Sequence, residues 1–163
     1  MPASSVSVHV VESPEDLAAC HKIRVDVFAH EQGFPLDTEF DDYDHTGDCV
    51  HFLAKVNATP AGTVRLVPSK GKLTRLAVLA SYRSTGAGRA LVRVMEEWLI
   101  GEARAGRLQH LVKEGRAGKA VHVKIHSQIP VIKFYAKLGY SEEGPRFDEE
   151  GEPHQLMVRD IEI

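Results

Sequence analysis

Two arginines and two glycines between residues 83 and 89 form the stretch of this sequence that is best suited to bind a ligand. The order is Arg83-Ser84-Thr85-Gly86-Ala87-Gly88-Arg89. Because glycine has no Cβ, an anion can approach the backbone closely at Gly86 and Gly88. Arg83 and Arg89 bring positive charge to the same place. These residue types therefore suit a negatively charged ligand.

The flanking residues predict a strand before this turn and a helix after it. Residues 73–79 form a short and largely apolar stretch, as in a buried strand. The residues that recur at helical spacing after the turn form one apolar stripe: Leu91, Val94, Met95, Trp98 and Leu99. A helix that starts at such a turn points unpaired N–H groups and its positive dipole end at one spot. We therefore predict a phosphate-binding turn.

The spacing of this turn is R-x-x-G-x-G, which differs from the most familiar phosphate-binding patterns. It lacks the G-x-x-x-x-G-K-[ST] order of a P-loop, and no acidic residue near position 108 completes a dinucleotide fingerprint. A plain strand-to-helix turn, with glycine serving geometry alone, is the alternative that the turn leaves open.

Residues 37–48 contain six acidic side chains and neither lysine nor arginine: Asp37, Glu39, Asp41, Asp42, Asp44 and Asp48. Phe34, Phe40 and Tyr43 lie among or beside them. Aromatic rings and carboxylates together can form a pocket wall for a cationic amine. A solvated acidic loop is the other interpretation, and the sequence leaves both open.

Length and composition restrict the class of protein. A chain of 163 residues suits a single domain, here residues 1–163. The net charge of −3 argues against nucleic acid as the main partner. Cys20 and Cys49 have no metal-ligand spacing, so we expect reduced thiols and no metal. No segment has the features of a signal peptide or a transmembrane helix, so we expect a cytoplasmic protein without a membrane partner.

Hydrophobic periodicity predicts an α/β (α+β) fold with a mixed, mostly antiparallel central sheet flanked by helices. Strands are predicted near 5–11, 50–56, 61–67, 72–79, 121–125 and 155–163, with an additional strand near 140–146. Helices are predicted from 14 to about 30, from 86 to about 104 and from about 130 to 138. The basic segment 104–124 is expected to be largely a solvated loop, or else to lie near a phosphate of a nucleotide-like cofactor.

Two motifs together resemble the GNAT superfamily of N-acyltransferases. Leu76-Ala77-Val78 followed by the R-x-x-G-x-G turn resembles its acyl-CoA-binding signature. Phe134-Tyr135-x-x-x-Gly139-Tyr140 resembles its F-Y-x-x-x-G-F helix motif, in the same order along the chain. More narrowly, the chain resembles the ElaA-like branch in a small set of residues: Arg24, Phe28, Glu31, Gln32, the acids at 39–44, Gly151, Pro153, His154 and Met157. The long basic insert after the main helix departs from the family pattern.

The resemblance implies an acetyl-CoA-dependent N-acetyltransferase. Acetyl-CoA would be the acyl donor, and the primary amine of a small molecule would attack its thioester directly. Two alternatives stay open: a protein or peptide N-acetyltransferase, and a non-catalytic acyl-CoA-binding module. The oligomeric state, with a homodimer as one option, stays open as well.

The resemblance also implies roles for individual residues. The residues expected to contact the cofactor are Leu76, Ala77, Val78, Arg83, Ser84, Thr85, Gly86, Ala87, Gly88, Arg89, Gln128 and Tyr135. Tyr135 matches the tyrosine that protonates the leaving thiolate. Candidate bases that accept the amine proton are Glu39, Asp41, His51 and His154, although a lone histidine is more often structural. Glu39, Asp41 and His154 are also the residues expected to bind the acceptor, with Glu39 and His154 in catalytic roles.

Overall fold

The structure is a computed structural model that describes residues 5–163. Contacts within the chain define two compact units. The first comprises Met1–Val67 and Arg75–Glu97, and the second comprises Pro68–Thr74 and Trp98–Ile163. The prediction of a single domain over residues 1–163 therefore stays a prediction.

Four strands belong wholly or partly to the first unit. They are β1 (Val6–Val10), β2 (Val50–Val56), β3 (Thr59–Val67) and the end of β4 (Lys72–Val78), hydrogen-bonded in that order. β1 and β2 are antiparallel, and so are β2 and β3. Asn57 and Ala58, with φ of 49° and 68°, form the turn between β2 and β3, as suits a two-residue hairpin. The predicted hairpin is therefore confirmed.

The first helix of this unit begins where the sequence places its cap. In α1 (Pro14–Arg24), the Ser13 hydroxyl accepts a hydrogen bond from the Asp16 amide at 3.1 Å, and proline occupies the first turn. α1 continues as a π-helical segment, Val25–Glu31. The acidic segment is not a plain loop, because it contains a 3₁₀ turn, Leu36–Thr38, and the short helix α2 (Asp42–Thr46). Helix α3 (Ala87–Arg104) begins in this unit.

The second unit contains the start of β4 and the remaining strands. These are β5 (Val112–Glu114), β6 (Lys119–Gln128), β7 (Ser141–Glu142), β8 (Phe147–Glu149) and β9 (Glu152–Glu162), with α4 (Ile132–Lys137) between β6 and β7. β6 pairs with β4 in parallel and with β5 and β9 in antiparallel fashion. β7 and β8 pair with β9. The additional strand expected near 140–146 is thus confirmed as β7.

Two parts of the second unit differ from the prediction. The basic segment is not a simple loop, because β5 pairs with the start of β6 in register Val112↔Val121. A three-residue strand is too short to show periodicity in the sequence. The last strand begins at Glu152 rather than Gln155, because a two-residue turn at Glu150 and Gly151, with φ of 55° and 76°, joins it to β8.

The two faces of β6 have different characters. Val121, Val123 and Ile125 are at most 2% exposed and face the core. Because side chains alternate along a strand, the opposite face carries polar residues, among them His126 and Gln128. His126 and Gln128 on this polar face belong to the candidate site described below. Within residues 5–163, no helix is long and apolar enough to cross a membrane.

Candidate active site

The turn between β4 and α3 leads into the first backbone N–H groups of a helix, which helical hydrogen bonds do not satisfy. The first helical hydrogen bond runs from the Ala90 amide to the Gly86 carbonyl at 3.0 Å. The amides of Gly88 and Arg89 precede that bond and are among those a helix cannot satisfy internally. Gly86 has φ of +87°, and a Cβ placed there would meet no atom within 4 Å. The backbone thus favours glycine, and the space in front of it is open.

Arg83 is an anchor of this turn rather than a free positive charge. Its two terminal nitrogens donate to the Glu31 carboxylate at 2.6 Å each, and its Nε donates to the Val78 carbonyl at 3.0 Å. Hydrogen bonding to Arg83 lowers the pKa of Glu31. The positive charge that Arg83 brings to the turn is therefore paired with Glu31 in this structure. Arg89 is exposed.

An irregularity in β4 precedes the predicted cofactor-contacting residues. Arg75 has φ of 53°, which is rare for a residue with a side chain. Directly after it, Leu76 and Val78 are half-buried, and Ala77 is 3% exposed. Sequence reasoning missed this distortion, because an arginine within an apolar strand carries no signal for it. Such distortions often redirect backbone groups near functional sites.

The acidic segment faces arginines of its own unit. Arg24 and Arg65 are 0% and 1% exposed. Arg24 donates to the Asp44 carboxylate twice at 2.8 Å and to Glu39 Oε1 at 2.9 Å. Arg65 donates to Asp41 at 2.7 and 2.8 Å and to Asp44 at 2.9 Å. We call these five residues the buried ion cluster.

These ion pairs change the electrostatic character expected of the segment. Burial opposes ionisation of Asp44, but hydrogen bonds from Arg24 and the positive charges of Arg24 and Arg65 outweigh it and hold the pKa of that carboxyl far below its usual range. The pKa of Asp41 is lowered in the same way, with Arg65 outweighing burial. Asp41 and Asp44 therefore do not present unbalanced negative charge. Binding of the acceptor by Glu39 or Asp41 stays a prediction.

Two aromatic rings of the segment also contact these arginines. The Arg24 guanidinium lies 5.0 Å from the Phe40 ring centre, and that of Arg65 lies 5.6 Å from the Tyr43 ring centre. One of the two interpretations left open by the sequence had such rings beside an external amine, whereas here these two rings contact cations of the protein itself. The partners come from α1 and β3, which are distant in sequence, so the segment alone could not reveal them.

Among residues 5–163, one group of possible metal ligands shares Asp44 with the buried ion cluster. His21, Asp44 and His51 each offer an atom within 4.8 Å of the others. A guanidinium nitrogen of Arg24 already lies 2.8 Å from Asp44 Oδ1 and 3.3 Å from His51 Nε2. A metal cation would have to displace this positive group, so the residues fit an ion pair better than a metal.

Tyr135 lies in an aromatic cluster of the second unit. It is 5% exposed, and its ring forms edge contacts with Phe134 and Tyr140 at centroid distances of 5.1 and 6.1 Å. Burial raises the pKa of its phenol well above the ordinary value. Gln128 ends β6 and directly precedes the 3₁₀ turn that leads into α4. Gln128 and Tyr135, both predicted to contact the cofactor, are thus joined by one short helical segment of this unit.

His154 faces Gln128 across the β6–β9 pair and is 6% exposed. Its Nδ1 lies 2.9 Å from the Glu152 carbonyl. Because a carbonyl only accepts hydrogen bonds, Nδ1 carries a proton. Its Nε2 lies 3.7 Å from Glu149 Oε2, and His126 Nδ1 contacts the other oxygen of Glu149 at 2.9 Å. Sequence reasoning found His154 but missed Glu149 and His126.

A family model described as the acetyltransferase (GNAT) family matches residues 17–140. The chain belongs to this family. The predicted membership is thereby confirmed, and so is the prediction of an acyltransferase at the level of the family. Both the R-x-x-G-x-G turn and Tyr135 lie inside the matched range.

Relatives of this GNAT protein cover nearly its whole length. A protein of Bacillus subtilis (strain 168) named Putative acetyltransferase is 37% identical over 157 residues, which are 94% of this chain and 96% of that protein. The crystal structure of a putative N-acetyltransferase from Lactobacillus plantarum has a TM-score of 0.77 at 27% identity, and the match covers 96% of this chain and 99% of that one. Escherichia coli ElaA shares the fold, with a TM-score of 0.73 at 22% identity over 96% and 99% of the two chains. The predicted fold class is therefore confirmed.

The basic segment contributes to a cleft of about 400 Å³ in the second unit. Its lining includes Arg104, Gln109 and Lys119. Other basic residues of the segment are paired: Arg107 with Glu102, and Lys113 with Asp160 at 2.8 Å. A role of this segment toward a cofactor phosphate stays a prediction.

Proposed function

We propose that this GNAT protein is an acetyl-CoA-dependent N-acetyltransferase that acts on the primary amine of a small molecule. The observation that carries the proposal is the turn at Gly86, which has a left-handed glycine, open space in front of it and the start of helix α3 directly after it. These features fit a bound pyrophosphate. Because the family model spans this turn, we assign a CoA thioester as the ligand whose pyrophosphate binds there.

The cofactor roles follow the family pattern residue by residue. Backbone groups around Leu76 and Val78 would line the pantetheine arm, and the turn from Arg83 to Arg89 would hold the pyrophosphate. Gln128 would contact the cofactor through its amide. A backbone N–H that polarises the thioester carbonyl is typically worth about 3–4 kcal/mol. A fold neighbour from Thermoplasma acidophilum, the PaiA N-acetyltransferase, was solved with coenzyme A, at a TM-score of 0.65 and 14% identity.

Two side chains would accept and donate protons in the reaction. His154 is our candidate base, because its tautomer leaves Nε2 as an acceptor. Tyr135 is our candidate acid for the leaving thiolate. Since burial raises the phenol pKa, its proton transfer is unfavourable in free energy. The contribution of Tyr135 should then be about 10-fold to 100-fold, at or below the low end of the usual range for general acids.

A thiol-release screen tests this proposal. Purified protein is mixed with acetyl-CoA and a panel of polyamines, amino sugars, amino acids and lysine-containing peptides, and free CoA is measured. We expect release that depends on a small amine. Release with peptides alone would favour a protein acetyltransferase, and CoA binding without release across the panel would favour a non-catalytic module.

The cellular setting is part of the same proposal. Cys20 and Cys49 are both free thiols, which suits a reducing compartment, and we place the enzyme in the cytoplasm. We propose no metal, no nucleic acid and no membrane among its partners, and a homodimer is one form it could take.

A further inference from the structure

We infer that Glu149 and His154 together recognise the ammonium group of the acceptor: the carboxylate binds the cation, and the imidazole Nε2 takes its proton. This inference rests on the proposed function and names the class of substrate, a cationic primary amine. All the groups involved belong to the second unit.

The β8–β9 hairpin places these groups on one face of the sheet. Phe147 pairs with His154, and Glu149 pairs with Glu152, across a two-residue turn. Because residues two apart in a strand share a face, Phe147, Glu149 and His154 lie on the same side. His126 of β6 joins them there, in contact with both Glu149 and the Phe147 ring.

When His154 is neutral, no proton lies between its Nε2 atom and Glu149 Oε2. The Nδ1 proton is committed to the Glu152 carbonyl, so the Nε2 lone pair faces Glu149 Oε2 at 3.7 Å. Two acceptors that face each other stabilise neither group. A cationic N–H donor between them satisfies both, because one nitrogen can lie about 2.7–3.2 Å from each atom.

The surroundings keep Glu149 charged and accessible. The hydrogen bond from His126 lowers the pKa of Glu149 despite partial burial, and the positive charges of Lys72 and, when protonated, His126 and His154 act in the same direction. His126 engages Oε1 and leaves Oε2 toward His154. The Glu149 side chain is 40% exposed, so a small amine can reach it from solvent.

Phe147 completes the recognition group with an aromatic face. Its ring stacks on His154 with an interplanar angle of 27° and a centroid distance of 6.1 Å. An aromatic ring beside a carboxylate attracts an ammonium group with its alkyl chain. Thus Glu149 supplies charge, His154 a proton acceptor and Phe147 an apolar contact.

The proton balance of the reaction is complete with these groups. The ammonium first gives a proton to His154 Nε2, which returns it to water. The neutral amine then attacks the thioester carbonyl carbon, so that a C–N bond forms and the C–S bond breaks. The thiolate takes a proton from the acid that we assign to Tyr135. The second amine proton restores that acid through solvent, so the products are an amide, the CoA thiol and one released proton.

Histidine-selective NMR of the full chain tests the recognition group with a named probe. n-Butylammonium is titrated against carbon-13-labelled histidine at about pH 8, and n-butanol serves as the uncharged isostere. We expect saturable shifts of the His126 and His154 signals with the amine and none with the alcohol. Glu149→Gln should weaken amine binding by about tenfold or more.

Asp148→Asn is the matched control, because it removes one carboxylate from the opposite face of the same strand, across from Pro153. It should change amine binding by less than about twofold. Unchanged binding in Glu149→Gln, an equal loss in Asp148→Asn, no saturable shift in the wild type, or a doubly protonated His154 at the titration pH would each overturn the inference.

Steady-state kinetics separate the inference from the proposed function. With an amine identified in the thiol-release screen, Glu149→Gln should raise the amine KM about tenfold and leave the acetyl-CoA KM within about twofold. Glu149→Asp should restore part of the loss. Turnover with an unaffected amine KM overturns the inference and leaves the function standing. Glu149-dependent amine binding without acetyl transfer supports the recognition group and overturns the function.

Discussion

At the scale of single residues, Tyr135 serves both packing and the proposed chemistry. Its ring packs against Phe134 and Tyr140, whereas its proposed reaction needs only the hydroxyl. Burial raises the phenol pKa and so makes the group a poorer proton donor to a thiolate than a free tyrosine. Proton transfer from the phenol to the thiolate is therefore uphill in free energy, which limits the contribution that we expect from Tyr135.

Removing the hydroxyl separates the two roles. We expect Tyr135→Phe to lower kcat about 10-fold to 100-fold and to leave the melting temperature and acetyl-CoA affinity nearly unchanged. Tyr140→Phe is the control, because it removes a hydroxyl from the same aromatic cluster. A Tyr135→Phe protein with wild-type kcat would remove the phenol from the mechanism.

The left-handed glycine of the turn provides the second test at this scale. Gly86→Asp places a negative charge where we propose the pyrophosphate binds, and Gly86→Asn places a neutral side chain of the same shape on the same strained backbone. Asparagine tolerates φ above zero well, so the pair isolates the charge. By calorimetry, the Asp variant should bind CoA about tenfold more weakly than the Asn variant, or about 1.4 kcal/mol. Equal affinities would count against the turn as the phosphate site.

At the scale of secondary structure elements, the buried ion cluster holds the acidic segment in place. Arg24 comes from the end of α1 and Arg65 from β3, and both reach carboxylates in or beside α2. The Asp44 side chain is 4% exposed, so its loss would leave two arginines short of a buried partner.

Replacement of one carboxylate measures this contribution. Asp44→Asn should lower the free energy of unfolding by about 3–5 kcal/mol, because it removes the buried charged partner that Arg24 and Arg65 share. Asp42→Asn, on the exposed side of the same short helix, should cost less than about 1 kcal/mol. Urea denaturation of both variants gives the comparison, and equal losses would contradict the assignment.

The same cluster predicts how stability depends on pH. The folded-state pKa of Asp44 lies far below that of an unfolded aspartate, which is about 3.9. The ionised group therefore stabilises the fold fully above that value, and the contribution is lost as the pH falls below about 4. We expect the free energy of unfolding to fall more steeply below about pH 5 in the wild type than in Asp44→Asn. Parallel pH profiles would show that Asp44 does not carry the effect.

At the scale of the whole molecule, the sequence predicted the elements that have strong local signals. The N-terminal cap of α1, the hairpin after β2 and helix α3 depend on neighbouring residues, and each appears where expected. The turn at Gly86 and the Tyr135 segment were found for the same reason.

The features that sequence reasoning missed depend on partners far apart in the chain. Arg24 and Arg65 neutralise acids that looked unpaired when residues 37–48 were considered alone. Glu149 meets His126 only after β6 and β9 pair. The positive φ of Arg75 cannot be predicted from its residue type. Tertiary pairing, rather than local propensity, decides all three.

Transfer of a labelled acetyl group tests the central claim most directly. The protein is incubated with acetyl-CoA that carries a carbon-13-labelled acetyl group and with a mixture of small primary amines, and products are identified by mass spectrometry. We predict that the label appears in an N-acetylated small amine in equal amount to the CoA thiol released. Label that appears only in acetate, or that stays entirely on CoA while CoA binds, would contradict an N-acetyltransferase.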